Sequence, residues 1–266
     1  MSSNNFRDIL QNFTKFSQAL SKKIEELNKN PEVQNFVKGV QFYIQNQDKT
    51  NPLIKKLISE MENNPNLSEA LEILSYGDIY KLLFNNGEIE ETSVVNIINK
   101  DYFQNELLNN FDEIKINKKF SDRKLLIQEA LKLYEIKCYA GCLCLLHSQL
   151  EGIITDYLLY KNILTKSTDK YRKPCFRETE KNNQINGLRD KIKLSKTLNK
   201  SFVRLEDYKF DSDADKKFHN ERNNILHGSN INNFTCERCF IVFIWIASIL
   251  RSICNEQLLN SLNKKV

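Results

Sequence analysis

The chain has 266 residues, 41% of them apolar and 27% charged, with only 7 Gly and 4 Pro. That length can bury a sizeable core, while the scarcity of Gly and Pro argues against a protein built from sheets and tight turns. The formal net charge of +5 is uneven, −3 over residues 1–120 and +8 over 121–266, so a polyanionic partner is to be sought in the second half.

Leu, Ile, Lys, Glu, Asn and Gln dominate, which favours an all-α fold. Three of the four prolines follow Asn, at Asn30-Pro31, Asn51-Pro52 and Asn64-Pro65. Asn is a good N-cap and Pro suits the first helical position, where no N–H is needed. Each pair therefore marks a helix start, giving helices near 5–28, 31–47, 51–62, 67–86 and 93–110. In the first, Ile9, Leu10, Phe13, Phe16, Leu20, Ile24 and Leu27 form one apolar stripe at three- and four-residue steps. Residues 1–115 read as a helical accessory domain without reactive clusters.

A second domain is expected over 121–262. Ser121-Asp122 is suited to cap its first helix, whose stripe is Leu125, Leu126, Ala130, Leu133 and Tyr134. Cys138 to Leu159 reads as a longer, more apolar helix. Two more follow, one ending near His227-Gly228 and one from about Thr235 to Leu262, and four such helices suggest a bundle. The most apolar run, Cys239–Leu250, is 12 residues long. That is short of the roughly 18 apolar residues needed to cross a bilayer, so a core helix is expected and no membrane partner. The opening residues, MSSNNFRDILQNF, lack the basic-then-apolar order of a secretory leader. A cytoplasmic protein is the expectation.

Between the second and third helices lies the positive excess. Residues 161–204 hold 13 basic and 4 acidic residues, enough to attract RNA by counterion release or to form a solvated lysine-rich connection. Lys170, Arg172, Lys173 and Arg177 are its candidate RNA contacts.

Chemistry concentrates in the segment Asn220-Glu-Arg-Asn-Asn-Ile-Leu-His-Gly228. Gly228 is suited to end a helix in the left-handed conformation. Cleaving RNA without a metal requires removing the 2′-OH proton and returning one to the departing 5′-oxygen. Histidine titrates near neutrality and serves either step, and a guanidinium fork stabilises the phosphorane-like transition state. Arg222 and His227 are thus the candidate catalytic pair. Five residues place them about 140° apart around a straight helix, so convergence requires the helix to end near His227 or a dimeric site.

Arg222-Asn223, three residues, then His227-Gly228 resemble the R-x(4–6)-H signature of the HEPN superfamily. Arg123 and Leu125 opening one helix, and Leu146–Glu151 within LLHSQLEGIITDYL, resemble a bacterial subgroup of it. The likeness spans roughly 121–260. It implies an HEPN-like four-helix bundle, a homodimer with the motifs facing a shared cleft, and a metal-independent endoribonuclease of toxin or abortive-infection type. Arg222 and His227 would be catalytic, and Asn223 would orient the site. Glu151, on an otherwise apolar helix, would salt-bridge Arg222 or Arg123, since an unpaired carboxylate there is costly. RNA is the implied substrate, with an antitoxin or defence protein as a further partner and no cofactor. A non-catalytic HEPN module binding RNA or protein, and a scaffold acting through the acidic N-terminal half, remain open.

Other constellations are weaker. Cys236 and Cys239 form a lone CxxC without the second knuckle that zinc sites use, so no metal is expected. The seven cysteines show no disulfide framework. His147 reads as core or interface and His219 as surface. Asp211, Asp213 and Asp215 lack the downstream Gly and Glu of a calcium loop. No Gly-rich phosphate loop appears.

Overall fold

A computed structural model describes residues 45, 48–49, 51–74, 76–85, 88–89, 91–185, 187–198, 222, 224–225 and 232–263. Residues 45, 48–49 and 51–63 are helical, and the last of these runs is called α1. It ends at Asn64, whose Oδ1 accepts a hydrogen bond from the Asn66 N–H at 2.9 Å, the turn chemistry that competes with helix continuation. The expected helix at 5–28 lies outside the described residues, as does 31–47 except residue 45.

The expected helix at 67–86 is instead two pieces, α2 (Ala70–Ile73) and α3 (Tyr76–Leu83), followed by strands β1 (Phe84–Asn85) and β2 (Glu88–Ile89). The strands pair antiparallel, Phe84 opposite Ile89 and Asn85 opposite Glu88. The intervening sequence is Asn86-Gly87, a strong two-residue hairpin signal that the helical spacing masked. A 3₁₀ turn (Val94–Asn99) and α4 (Asp101–Glu113) come next, near the predicted 93–110.

Helix α5 runs from Lys118 to Glu135 and α6 from Tyr139 to Tyr160. α5 begins before the expected Ser121, because Asn117 is its cap. The Asn117 side chain accepts from the Phe120 N–H at 2.9 Å, satisfying one of the orphan donors of the first turn. The basic segment is not a simple connection. It forms β3 (Leu164–Thr168), β4 (Pro174–Glu178), β5 (Gln184–Ile185) and helix α7 (Gly187–Leu198). The strands make an antiparallel sheet in the order β3-β4-β5. The fold is therefore mostly helical with a small three-stranded sheet, a correction to the all-α expectation. The β-branched Thr165 and Thr168 suit extended backbone. Asp169 closes the β3–β4 turn, its carboxylate accepting from the N–H groups of Tyr171 (2.8 Å) and Lys173 (2.7 Å).

The last described element is α8, Cys236–Asn263. Residues 239–247 are all buried, so this helix is apolar on every side, as a core helix is. Over Cys236–Leu258 it is also long and apolar enough to cross a membrane by length and composition, with 72% of that apolar window buried inside the protein. The expectation that no segment meets that criterion does not hold. The twelve-residue run is apolar enough to carry the mean hydropathy of a longer window that also takes in polar neighbours.

The chain divides into two compact units, 1–59 with 83–92, and 60–82 with 93–266. In the first, Ile54 and Leu57 are buried and Lys56 pairs with Glu91. In the second, α4, α5, α6 and α8 pack on one another, and α7 packs on α6. This partition differs from a boundary at 115–121. Phe103, Leu107 and Phe111 of α4 are buried in the same unit as α5 and α8, with the Phe111 ring tilted against that of Phe120, 5.5 Å between centroids. Arg238, 1% exposed, donates to Glu69 at 2.7 Å and to the Asn66 carbonyl at 3.2 Å, tying the start of α8 to the segment before α2.

Candidate functional site

Helix α6 carries the site. Its sequence is apolar enough to sit centrally, with Leu146, Leu150, Ile153, Ile154, Tyr157 and Leu158 all buried. The remaining positions, Ser148, Glu151, Gly152, Thr155, Asp156 and Leu159, form the floor of a cleft of about 670 Å³. They recur at three- and four-residue steps, so they share one helix face.

Glu151 is the hub. Its Oε1 accepts from Lys191 Nζ of α7 at 2.7 Å, and its Oε2 accepts from the Arg222 guanidinium. Lys191 is 5% exposed, and its ammonium also lies 5.0 Å over the Phe176 ring of β4. Burial alone would raise the Glu151 carboxyl. The hydrogen bond and charge of Lys191, with those of Arg222, outweigh it and hold the group below the usual carboxylate range.

One turn along the helix, Arg123 of α5 makes a second pair. Its Nε donates to Asp156 Oδ2 and its Nη1 to Gln149 Oε1, both at 2.8 Å. Of the two arginines proposed as partners for Glu151, the carboxylate thus takes Arg222, while Arg123 goes to Asp156. Gly152 makes room for this: a Cβ there would overlap the Arg123 guanidinium.

Gly152→Ala tests that packing. Glycine within a helix costs roughly 0.5–1 kcal/mol against alanine, so the exchange should stabilise a helix with open space. Here it displaces a nearly buried ion pair, and a net loss of about 1–2 kcal/mol in urea denaturation is expected. In an Arg123→Met background the same change should stabilise. A gain in the otherwise unaltered chain would sink this account of Gly152.

His147, one turn before Glu151 on α6, lies beside the site and is fully buried. Burial, with the charges of Arg238 and Arg222, pushes its pKa down to about 3, so it is a neutral imidazole. It belongs to the core, one of its two expected placements. The other sequence-derived residues disperse. Lys170, Arg172 and Lys173 are exposed in the β3–β4 turn. Arg177 donates to the Asn182 carbonyl at 2.9 Å. None of the four lines the cleft, whereas Lys166 and Lys191 of the same basic segment do. Those two were passed over because the segment was weighed by charge alone. The β-branched residues around Lys166 were the available signal.

Arg222, Asn224 and Ile225 are helical and Ile225 is buried. Asn223, His227, Gly228, His219 and Asp211, Asp213 and Asp215 lie outside the described residues. Cys236 and Cys239 open α8, where the Cys236 thiol donates to Glu237 at 3.3 Å and burial pushes its pKa up to about 11. Among the described residues no group of three or more His, Cys, Asp or Glu is placed to hold a metal ion. No protein-family model matches the chain, and no curated protein or solved structure matches it.

Proposed function

We propose that the chain is a metal-independent endoribonuclease of the HEPN type, of the class that serves as bacterial toxins or abortive-infection effectors. The observation that supports it is the Arg222 guanidinium held by Glu151 at the wall of a cleft lined by five cations and two carboxylates. In this reading the substrate 2′-oxygen attacks phosphorus, the 5′-oxygen departs, and a 2′,3′-cyclic phosphate remains. His227 takes the 2′-OH proton or protonates the leaving oxygen, and Arg222 stabilises the charge on the pentacoordinate phosphorus. A homodimer built around four helices supplies a second histidine for the other proton transfer, and Asn223 orients the pair.

The test is cleavage of labelled single-stranded RNA in EDTA by the full chain. Arg222→Ala and His227→Ala should each lower the rate by at least about a hundredfold, with unchanged thermal melting for His227→Ala. Equal cleavage by His227→Ala would falsify the assignment. A second reading, a non-catalytic HEPN module that binds RNA or protein, is favoured by one observation: Glu151 already engages the guanidinium that would have to meet the phosphate. That reading predicts salt-sensitive binding without products. Growth arrest on expression, abolished in Arg222→Ala/His227→Ala, addresses the toxin or defence setting.

A further inference from the structure

The cleft does not end at Glu151. Asn117, Leu159 and Lys166 also line a second cavity of about 450 Å³, which continues past the last turn of α6 to Tyr160 and Thr165. The two form one groove with α6 as its floor and the sheet as a wall. From Glu151 to Tyr160 the floor is nine residues of helix, about 14 Å, enough for a few nucleotides.

The charges along this groove are arranged in a consistent way. Glu151 is occupied by Lys191 and Arg222, and Asp156 by Arg123. Both carboxylates are thereby neutralised from within the fold. Lys118 at the start of α5 and Lys166 in β3 are exposed and line the groove from two different elements, and neither is ion-paired among the described residues. At the far end Tyr160 is 46% exposed, offering a ring face. Unpaired cations flanking a track, with an aromatic platform along it, is the pattern that holds single strands: phosphates meet lysines, and a base stacks on the ring.

We infer that this groove carries the single-stranded RNA flanking the reacting phosphate, with Lys118 and Lys166 contacting its backbone and Tyr160 stacking a base. The inference rests on the endoribonuclease reading only for the choice of RNA as the polyanion.

The experiment measures binding of a fluorescent uridine 12-mer by anisotropy in EDTA, using the full chain carrying His227→Ala to exclude turnover. Lys118→Glu/Lys166→Glu should weaken binding at least tenfold near 0.1 M salt. It should also flatten the log–log salt dependence by about 1.4, two contacts at roughly 0.7 each. Tyr160→Ala should weaken binding about tenfold with little change in slope. Lys170→Glu/Lys173→Glu, the same charge change at the exposed β3–β4 turn, should have a much smaller effect. Thermal melting verifies each variant, and Lys118→Gln/Lys166→Gln replaces the groove pair should the Glu version fail to fold.

Equal losses in the groove and turn variants would reduce the effect to net charge and overturn the track. Unchanged binding in the groove variant overturns it as well, as does tighter binding of duplex RNA or polyglutamate with the same lysine dependence. Cleavage by the His227 form is assayed in parallel. Lysine-dependent binding without cleavage keeps the track and removes the catalytic reading, and cleavage without lysine dependence does the reverse.

Discussion

Glu151→Ala is expected to lower stability by about 3 kcal/mol in urea denaturation and to abolish whatever activity the cleft has. The carboxylate is the shared partner of two cations. One of them, Lys191, has a side chain only 6% exposed, so removing the anion leaves an ammonium that water barely reaches. Uncompensated buried charge, rather than a lost contact, sets the size of the effect. The estimate stands at the low end of the usual range because Glu151 and Arg222 retain 17% and 21% exposure. Glu151→Gln keeps the shape and should cost nearly as much. Adding Lys191→Met to Glu151→Ala removes the stranded charge and should recover a good part of the loss, giving a coupling energy well above 0.5 kcal/mol. Additive losses would show that Lys191 and Glu151 do not act as a pair.

The second large effect is on acid stability. The His147 imidazole titrates near 6.5 when unfolded and is pushed down to about 3 in the fold by burial and by Arg238 and Arg222. Between those values the unfolded chain takes up a proton that the native chain refuses. The contribution of neutral His147 is therefore complete above pH 6.5 and is lost progressively as pH falls towards 3. One pKa unit corresponds to about 1.4 kcal/mol, so roughly 2 kcal/mol should be gone by pH 5. Glu151 acts in a lower window. Its native pKa lies below the ordinary carboxylate value, so its contribution is present above that value and lost only as pH falls below it. His147→Leu should therefore flatten the stability profile from pH 6.5 to 4.5 and leave the steeper loss below. An unchanged profile in that variant would mean that His147 is protonated in the native fold.

How much of this was legible in the sequence depends on the kind of signal. Helices α6 and α8 are legible as long apolar segments and α5 by its helical spacing. The face of α5 is not the expected one: Ala130 and Tyr134 are buried with Phe120, Ile127 and Leu131, whereas Leu125 (63%) and Leu126 (41%) are exposed. The cap of α5 lies four residues before the expected Ser121 because Ser121-Asp122 and Asn117 are both competent caps. Only the fold shows which side chain reaches a free N–H. The hairpin β1–β2 was missed although Asn86-Gly87 names it, because Leu82, Leu83 and Phe84 prolonged the helical spacing. The sheet β3–β5 was missed because its strands are amphipathic only in part. β3 buries Leu164 and exposes most of the rest. Within the site, Glu151 was legible as an acid too deep in an apolar helix to stand alone. Its partner Lys191 was not, since 40 residues separate them and no local spacing encodes that meeting. Asp156 and Gly152 were likewise invisible, because the demand for them comes from where Arg123 lands across the helix.

The sheet wall has a consequence for how such a chain can diversify. It enters the chain as an excursion between α6 and α7, anchored by buried Leu164 and by the Thr179 N–H donating to the Ile163 carbonyl at 2.9 Å. The helices α4, α5, α6 and α8 pack on one another, and the sheet meets them mainly through β3 on α6. Its length and side chains are therefore open to drift, exchange or grafting, while the floor, where Glu151, Gly152 and Asp156 serve the interior as well as the cleft, is held fixed. If the groove holds RNA as proposed, its selectivity can change on the sheet side at less risk to folding than on the helical floor.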